Sequence, residues 1–195
     1  LSSGALEKAK NKIGDHGVFL HGSFFDIPLE ENFFDCTVSL HTIYHIDKDK
    51  QEEAVRKLIK VTKPGSPVII VYSNPHTIIS SIRSSFPIRA LKKAKRLLKR
   101  AENETRIENR SDIEQEVSLY FYPHPIEWWD RFSDIAYVQI LPWRSFTSDT
   151  QKRIIPNNKM GGIMFNLLFF LEERLPVFFV KHFQYPMIIL TKRKS

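Results

Sequence analysis

Two short apolar runs rich in β-forming residues, Phe34 to Leu40 and Val68 to Tyr72, stand on either side of a helical pattern that runs from Asp47 to Thr62 and is stopped by Pro64-Gly65. Ala54, Val55, Leu58, Ile59 and Thr62 recur at helical spacing and mark the inward side. Asp47 and Asp49 suit the amino end of that helix electrostatically, and Lys57, Lys60 and Lys63 suit its carboxyl end. Strand, helix and strand in this order form the unit of a parallel sheet. Ligands of open parallel sheets sit beyond the carboxyl ends of the strands. Polar Ser39 and His41, which close the first run after the acidic turn Glu30-Glu31-Asn32, are therefore the first candidates for a site.

Further elements extend the alternation on both sides. Ser2 to Ile13 reads as a helix with a serine cap and Ala5, Leu6, Ala9 and Ile13 facing inward, and Gly17 to His21 as a short strand. Beyond Ser73-Asn74-Pro75 the rhythm breaks, and Ile88 to Ala101 forms a basic amphipathic helix whose Lys92, Lys93, Lys95, Arg96, Lys99 and Arg100 oppose an apolar stripe. Leu119 to Tyr122 is strand-like, Pro125 to Phe132 opens a helix, and Ile135 to Leu141 and Tyr185 to Lys192 read as two final strands. The apolar run from Gly161 to Leu171 is interrupted by Asn166 and ended by Glu172-Glu173-Arg174. That is short of the about 20 apolar residues that cross a bilayer, so a buried or capping helix is expected.

Composition is that of a globular chain: 42% of the 195 residues are hydrophobic and 26% charged, which excludes collagen-like, coiled-coil and generally disordered chains. Cys36 is the only cysteine, so no intrachain disulfide can form, and its position inside a strand run predicts a small buried side chain. The first residues show neither a basic leader nor an apolar core, and a cytoplasmic location is expected.

The stretch from Gly22-Ser23-Phe24 through Ile27-Pro28-Leu29, Phe34-Asp35, the strand and Ser39-Leu40-His41 resembles the middle of the class I S-adenosylmethionine-dependent methyltransferases, of the methyltransferase type 11 kind. The helix ending in Ile59, the turn Val61-Thr62-Lys63-Pro64-Gly65 and the strand after it resemble the segments that follow in that family. The resemblance implies a Rossmann-like methyltransferase sheet, α/β, of parallel strands plus a carboxyl-terminal antiparallel pair. Leu1-Ser2-Ser3-Gly4-Ala5-Leu6 resembles the opening of the helix after the second strand, and no Gly-x-Gly-x-Gly occurs in the 195 residues. On that register the chain is expected to be amino-terminally truncated, with the glycine-rich motif, first strand and ribose-binding acid upstream, and to be inactive by itself.

What the resemblance implies for the site follows residue by residue. Leu1 matches a position that packs on adenine, Gly22, Ser23 and Phe24 match the loop beside it, and Ser39, Leu40 and His41 match the segment passing the methionine part of S-adenosylmethionine. Ser23 stands where many relatives carry an acid, though it is as readily a turn cap. Methyl transfer from a sulfonium is an in-line displacement in which positive charge is lost, so positioning and removal of the acceptor proton are the main tasks. His41 and His124 are candidate general bases, since imidazole titrates near neutrality. Tyr44, Tyr120, Tyr122 and Trp128 are candidate acceptor-binding residues; with His124, Trp129 and Trp143 they form either an aromatic wall near the sulfonium or plain core. His41 and His45 lie four apart, but no third ligand of suitable spacing follows, and no metal is expected.

Three regions of a single domain are expected: the carboxyl part of the cofactor-binding core over 1–75, an insertion over 76–124, and the last helix and strands with an apolar cap helix over 125–195. The expected function is methyl transfer to a small, hydrophobic acceptor, with no specific nucleic acid partner. The rival expectation is a non-catalytic module that uses residues 88–101 to engage a membrane surface or an acidic partner, since clustered basic residues bind anionic headgroups.

Overall fold

The computed structural model describes residues 3–78 and 120–194. The expected basic helix of 88–101 lies outside them, as does Leu1. Among the described residues a sheet of four strands has the order β1-β2-β4-β3, where β1 is Thr37–Leu40, β2 is Pro67–Val71, β3 is Ala136–Arg144 and β4 is Tyr185–Lys192. β1 and β2 run parallel, Thr37 opposite Val68 and Leu40 opposite Val71. β4 is antiparallel to both β2 and β3. The expected parallel strands with a closing antiparallel pair are therefore present.

Helix α2, Gln51–Val61, joins β1 to β2 and buries Ala54, Val55, Leu58 and Ile59 on the sheet, the side its apolar spacing predicts. It starts later than Asp47 because Asp47 makes a turn of its own, its carboxylate accepting from the Asp49 backbone N–H. The core of Ile43, Tyr44, Val68, Ile70, Tyr72, Trp129, Phe132, Ile188 and Leu190 lies between this helix, the sheet and a 3-10 segment, Ile126–Phe132. On the carboxyl-terminal side α3 is Ser148–Ile154, α4 is Lys159–Arg174 and α5 is Pro176–His182. The Ser145 hydroxyl donates to the buried Glu172 carboxylate, tying the end of β3 to α4.

Several expectations are corrected. Gly17 to His21 forms no strand, because a strand exists through its ladder partners and this run pairs with none of the described strands; Val18 is 90% exposed. Helix α1, Ser3–Ile13, buries no residue, and Leu6 and Ala9 are only half-buried. The first strand is shorter than Phe34 to Leu40, with Phe34 reduced to a single bridge to Thr62. Its alternation is also inverted: Thr37 and Ser39 are half-buried while Val38 and Leu40 are exposed. Thr37 turns inward because its hydroxyl pairs with that of Thr62 at 2.8 Å, which in turn donates to the Leu58 carbonyl. Cys36, expected to be buried, is exposed, since it precedes the strand rather than lying within it. Tyr120 to Tyr122 is not a strand, and of the two readings of the apolar helix, buried or capping, the buried one fails, since α4 is largely exposed.

Candidate functional site at the carboxyl ends of the parallel strands

The strand registers bring one end of every strand together. Val71 at the end of β2 faces Met187 at the start of β4, which faces Leu141 late in β3, and Leu40 at the end of β1 faces Val71. Chain leaving β1 therefore enters the same rim as the chain leaving β2 and β3.

His41 is the first residue on that rim. Its backbone is left-handed, with φ of 56°, a conformation uncommon for a residue other than glycine and one that clusters at functional turns. The chain tolerates it because the His41 N–H still bonds the Val71 carbonyl, extending the β1–β2 ladder by one residue. The turn directs the imidazole Nδ1 to the Tyr44 hydroxyl at 2.9 Å and sets the ring edge-on to Tyr185 at 4.8 Å. Partial burial holds the His41 pKa below its ordinary value, and the charges of Arg144 and His45 push it the same way. Burial raises the Tyr44 phenol to about 12. At neutral pH the pair is thus an uncharged imidazole and an uncharged phenol.

Behind this pair a polar relay fixes the segment from Tyr120 to His124. Tyr44 accepts from the Tyr122 N–H through its carbonyl, and His45 Nδ1 bonds the Tyr120 carbonyl at 2.8 Å. Gln51, fully buried, donates from Nε2 to the carbonyls of Ile46 and Tyr122 and accepts from the Tyr72 hydroxyl at 2.8 Å. The Tyr72 oxygen accepts the His124 N–H at 3.0 Å. Asn74, just past β2, donates to the carbonyls of Val180, Lys181 and Phe183 and so fastens the end of α5 to the same rim. Sequence reasoning missed Gln51, Tyr72 and Asn74. A glutamine at a helix start carries no signal of its burial, whereas the break after Ser73-Asn74-Pro75 did mark the place of Asn74.

The second cluster is the turn after Gly22. Ser23 accepts from the N–H groups of Asp26 and Ile27 through its carbonyl, and its hydroxyl accepts from the Phe25 N–H at 3.3 Å, the turn-cap role. Lys57 of α2 donates to the carbonyls of Phe24, Phe25 and Ile27. Phe24 and Phe25 pack on the core that contains Tyr44, which links the turn to the rim.

The aromatic candidates divide. Tyr44 is buried at the rim, and Tyr120 and Tyr122 are exposed beside it. His124 stacks flat on Trp128 with centroids 4.5 Å apart, and burial lowers its pKa, with Arg131 adding to the effect. Trp128 itself is buried against Trp129 and Phe132, its outer face under the Arg131 guanidinium, so it is occupied by packing. Trp143 stands exposed on β3. A cavity of about 370 Å³ at the rim is lined by Leu141, Pro142, Phe169, Glu172, Glu173 and Pro176. No group of three or more metal-ligating side chains occurs among the described residues.

This is an α/β sheet with a strand-end site of the Rossmann-like kind. Residues 1–70 match the family model described as a methyltransferase domain. A Geobacillus protein described as an uncharacterized methyltransferase is 29% identical over 63 residues, which are 32% of this chain and 30% of that protein. A SAM dependent methyltransferase from Archaeoglobus fulgidus superposes with a TM-score of 0.50 at 16% identity, over 96% of this chain and 73% of that one. A candidate S-adenosylmethionine dependent methyltransferase from Listeria monocytogenes superposes with a TM-score of 0.50 at 13% identity, over 100% of this chain and 78% of that one. The chain therefore carries the fold of these solved methyltransferases, and its residues 1–70 are similar to the methyltransferase domain family.

Proposed function

We propose that the protein takes part in methyl transfer from S-adenosylmethionine to a small acceptor with an apolar portion. The observation that carries this reading is the coincidence of two facts. The segment matched by the methyltransferase family model is the one that builds the β1–α2–β2 unit, and the first strand of that unit runs into the left-handed His41 held by Tyr44.

The residues present suit the cofactor in part. Aromatic rings of Tyr44 and Tyr185 around an uncharged imidazole are compatible with a sulfonium, whose charge is attracted to ring faces. The turn at Gly22 is close enough that a Cβ there would meet the Ile27 side chain at 3.2 Å, so the glycine keeps this wall compact. In this reading Ser39, Leu40 and His41 flank the methionine part, and Gly22, Ser23 and Phe24 flank the adenine. Bound there, S-adenosylmethionine would supply an electrophilic methyl carbon to an acceptor lone pair.

The chain's own task is to orient the acceptor and take its proton. With His41 Nδ1–H donated to the Tyr44 oxygen, the Nε2 lone pair faces away from Tyr44 and serves as the base. Its lowered pKa keeps it unprotonated at neutral pH. Tyr120 and Tyr122 border the acceptor, and the cavity at Leu141 and Pro142 takes its apolar part.

Calorimetric titration of the intact protein with S-adenosylmethionine tests the reading. Saturable binding that S-adenosylhomocysteine competes away, and that His41→Ala weakens, is the expected result; no binding by the folded protein overturns it.

A further inference from the structure

The outward side of α4 is an uncovered apolar stripe. Met160, Ile163, Leu167 and Phe170 recur at intervals of three and four and so share one face. They are 64%, 68%, 57% and 52% exposed. The other side of the helix, with buried Gly161 and Glu172 and half-buried Phe165 and Leu168, is the one turned to the protein. Leu175, Val177 and Phe178 continue the exposed apolar surface onto α5. Among the described residues, nine of the 21 exposed large hydrophobic residues fall between Ile154 and Phe178. Single exposed apolar residues are ordinary, but such a concentration marks a surface that something covers.

The rim of this surface is basic. Lys152 and Arg153 on α3, Lys159 and Arg174 near the two ends of α4, and Lys181 on α5 are all exposed. Arg174 lays its guanidinium 5.3 Å from the Phe170 ring centroid, so an apolar stem and ring sit beneath a charge directed to the edge. Asp149 and Glu173 are the exposed acids of the same stretch, and Glu172 is buried against Ser145.

We propose that α4 and α5 form a docking surface for an anionic lipid bilayer, with α4 lying in the plane of the headgroups and Met160, Ile163, Leu167 and Phe170 entering the acyl boundary. Charge selects this occupant over a second copy of the chain. A two-fold pair would bring the same basic rim against itself on molecules that each carry a net charge of +7, whereas anionic headgroups neutralise it. Length selects the mode: α4 has 16 residues, and no described helix is long and apolar enough to cross a membrane, so the helix lies on the bilayer. The inference is independent of the proposed methyl transfer.

The test is flotation of the intact protein with vesicles of phosphatidylcholine alone and of phosphatidylcholine mixed with phosphatidylglycerol. The protein is expected to float with the mixed vesicles and not with the zwitterionic ones, and to be released by salt. The double variant I163D/L167D should lower partitioning at least about tenfold by removing two inserted side chains, and K159E/R174E should do so by about tenfold through the headgroup charge. Circular dichroism melts establish that the variants fold, and the milder I163Q/L167Q pair replaces the first should it not. Absence of flotation on anionic vesicles overturns the proposal, as does undiminished flotation of a folded I163D/L167D or I163Q/L167Q protein. A lipid-free dimer in sedimentation equilibrium that these variants dissociate assigns the stripe to a second copy and overturns it as well.

Discussion

His41 Nδ1 and the Tyr44 hydroxyl lie 2.9 Å apart, and this bond joins the left-handed residue that ends β1 to a phenol buried in the core. Tyr44 can hold the ring because it is itself fixed by edge contacts to Tyr72 and Phe121. Removing the hydroxyl in Tyr44→Phe should cost about 1 kcal/mol of stability, the usual net worth of one such bond. On the proposed methyl transfer the effect should be larger, an unanchored imidazole lowering kcat about tenfold, within the range that general-base positioning contributes. Urea unfolding and steady-state kinetics on the same samples check both numbers.

The backbone of His41 makes its own prediction. Asparagine tolerates the left-handed region, whereas residues with a bulky β-carbon pay about 1–2 kcal/mol there. Both variants lose the bond to Tyr44, but His41→Asn should unfold at a higher urea concentration than His41→Val, which alone adds the strain of the turn. Equal midpoints for the two variants would contradict the strained turn.

Acid should destabilise the protein through its partly buried imidazoles. The folded-state pKa values of His41 and His124 both lie below the ordinary 6.5, so the unfolded chain binds more protons in the window beneath 6.5. Stability then rises with pH through that window and is fully present above it. Thermal melts between about pH 5 and about pH 7.5 should show Tm climbing with pH, and His124→Phe, which keeps a ring on Trp128 but cannot titrate, should flatten the climb.

Gln51 is the residue on which the rim segment depends. Its amide reaches Ile46, Tyr122 and Tyr72 at once and is fully buried. Gln51→Leu fills the volume but leaves the carbonyls of Ile46 and Tyr122 without that donor and the Tyr72 hydroxyl without its acceptor. A loss of about 2–4 kcal/mol is expected, since each orphaned buried group costs about 1–3 kcal/mol. Limited proteolysis should find Tyr120 to Tyr122 opened in this variant and protected in the parent.

The contrast between Gln51 and β4 explains how much of the molecule its sequence discloses. β4 spans Tyr185–Lys192 as its β-rich run predicts, and α2 buries the face its spacing marks, because periodicity reports the burial of a whole element. The strand-end placement of His41 was legible for the same reason. Periodicity cannot report a neighbour in space. Gly17 to His21 has strand-like residues but pairs with none of the described strands, Val38 and Leu40 look buried until the Thr37–Thr62 hydroxyl pair sets the strand's facing, and the exposure of α4 depends on what packs beside it. Gln51, Tyr72 and Asn74 became recognisable only when the chains they connect were brought together.

Adjacent glycines at the start of α4 should respond in opposite directions to the same substitution. A Cβ on Gly161 would overlap the Pro156 carbonyl oxygen, which is backbone and cannot swing away, and Gly161 also supplies the N–H that the Asn158 side chain caps at 3.1 Å. A Cβ on Gly162 meets nothing within 4 Å. Gly161→Ala must therefore push α4 off the turn at Pro156 and disturb the cap, with an expected loss of about 1–3 kcal/mol, typical of overpacking. Gly162→Ala should gain about 0.5–1 kcal/mol, because alanine has less backbone freedom to lose in a helix and no contact opposes it. Thermal unfolding of the two single variants beside the parent gives the order Gly162→Ala, parent, Gly161→Ala. Any other order would mean that α4 does not meet the Pro156 turn in the way its cap requires.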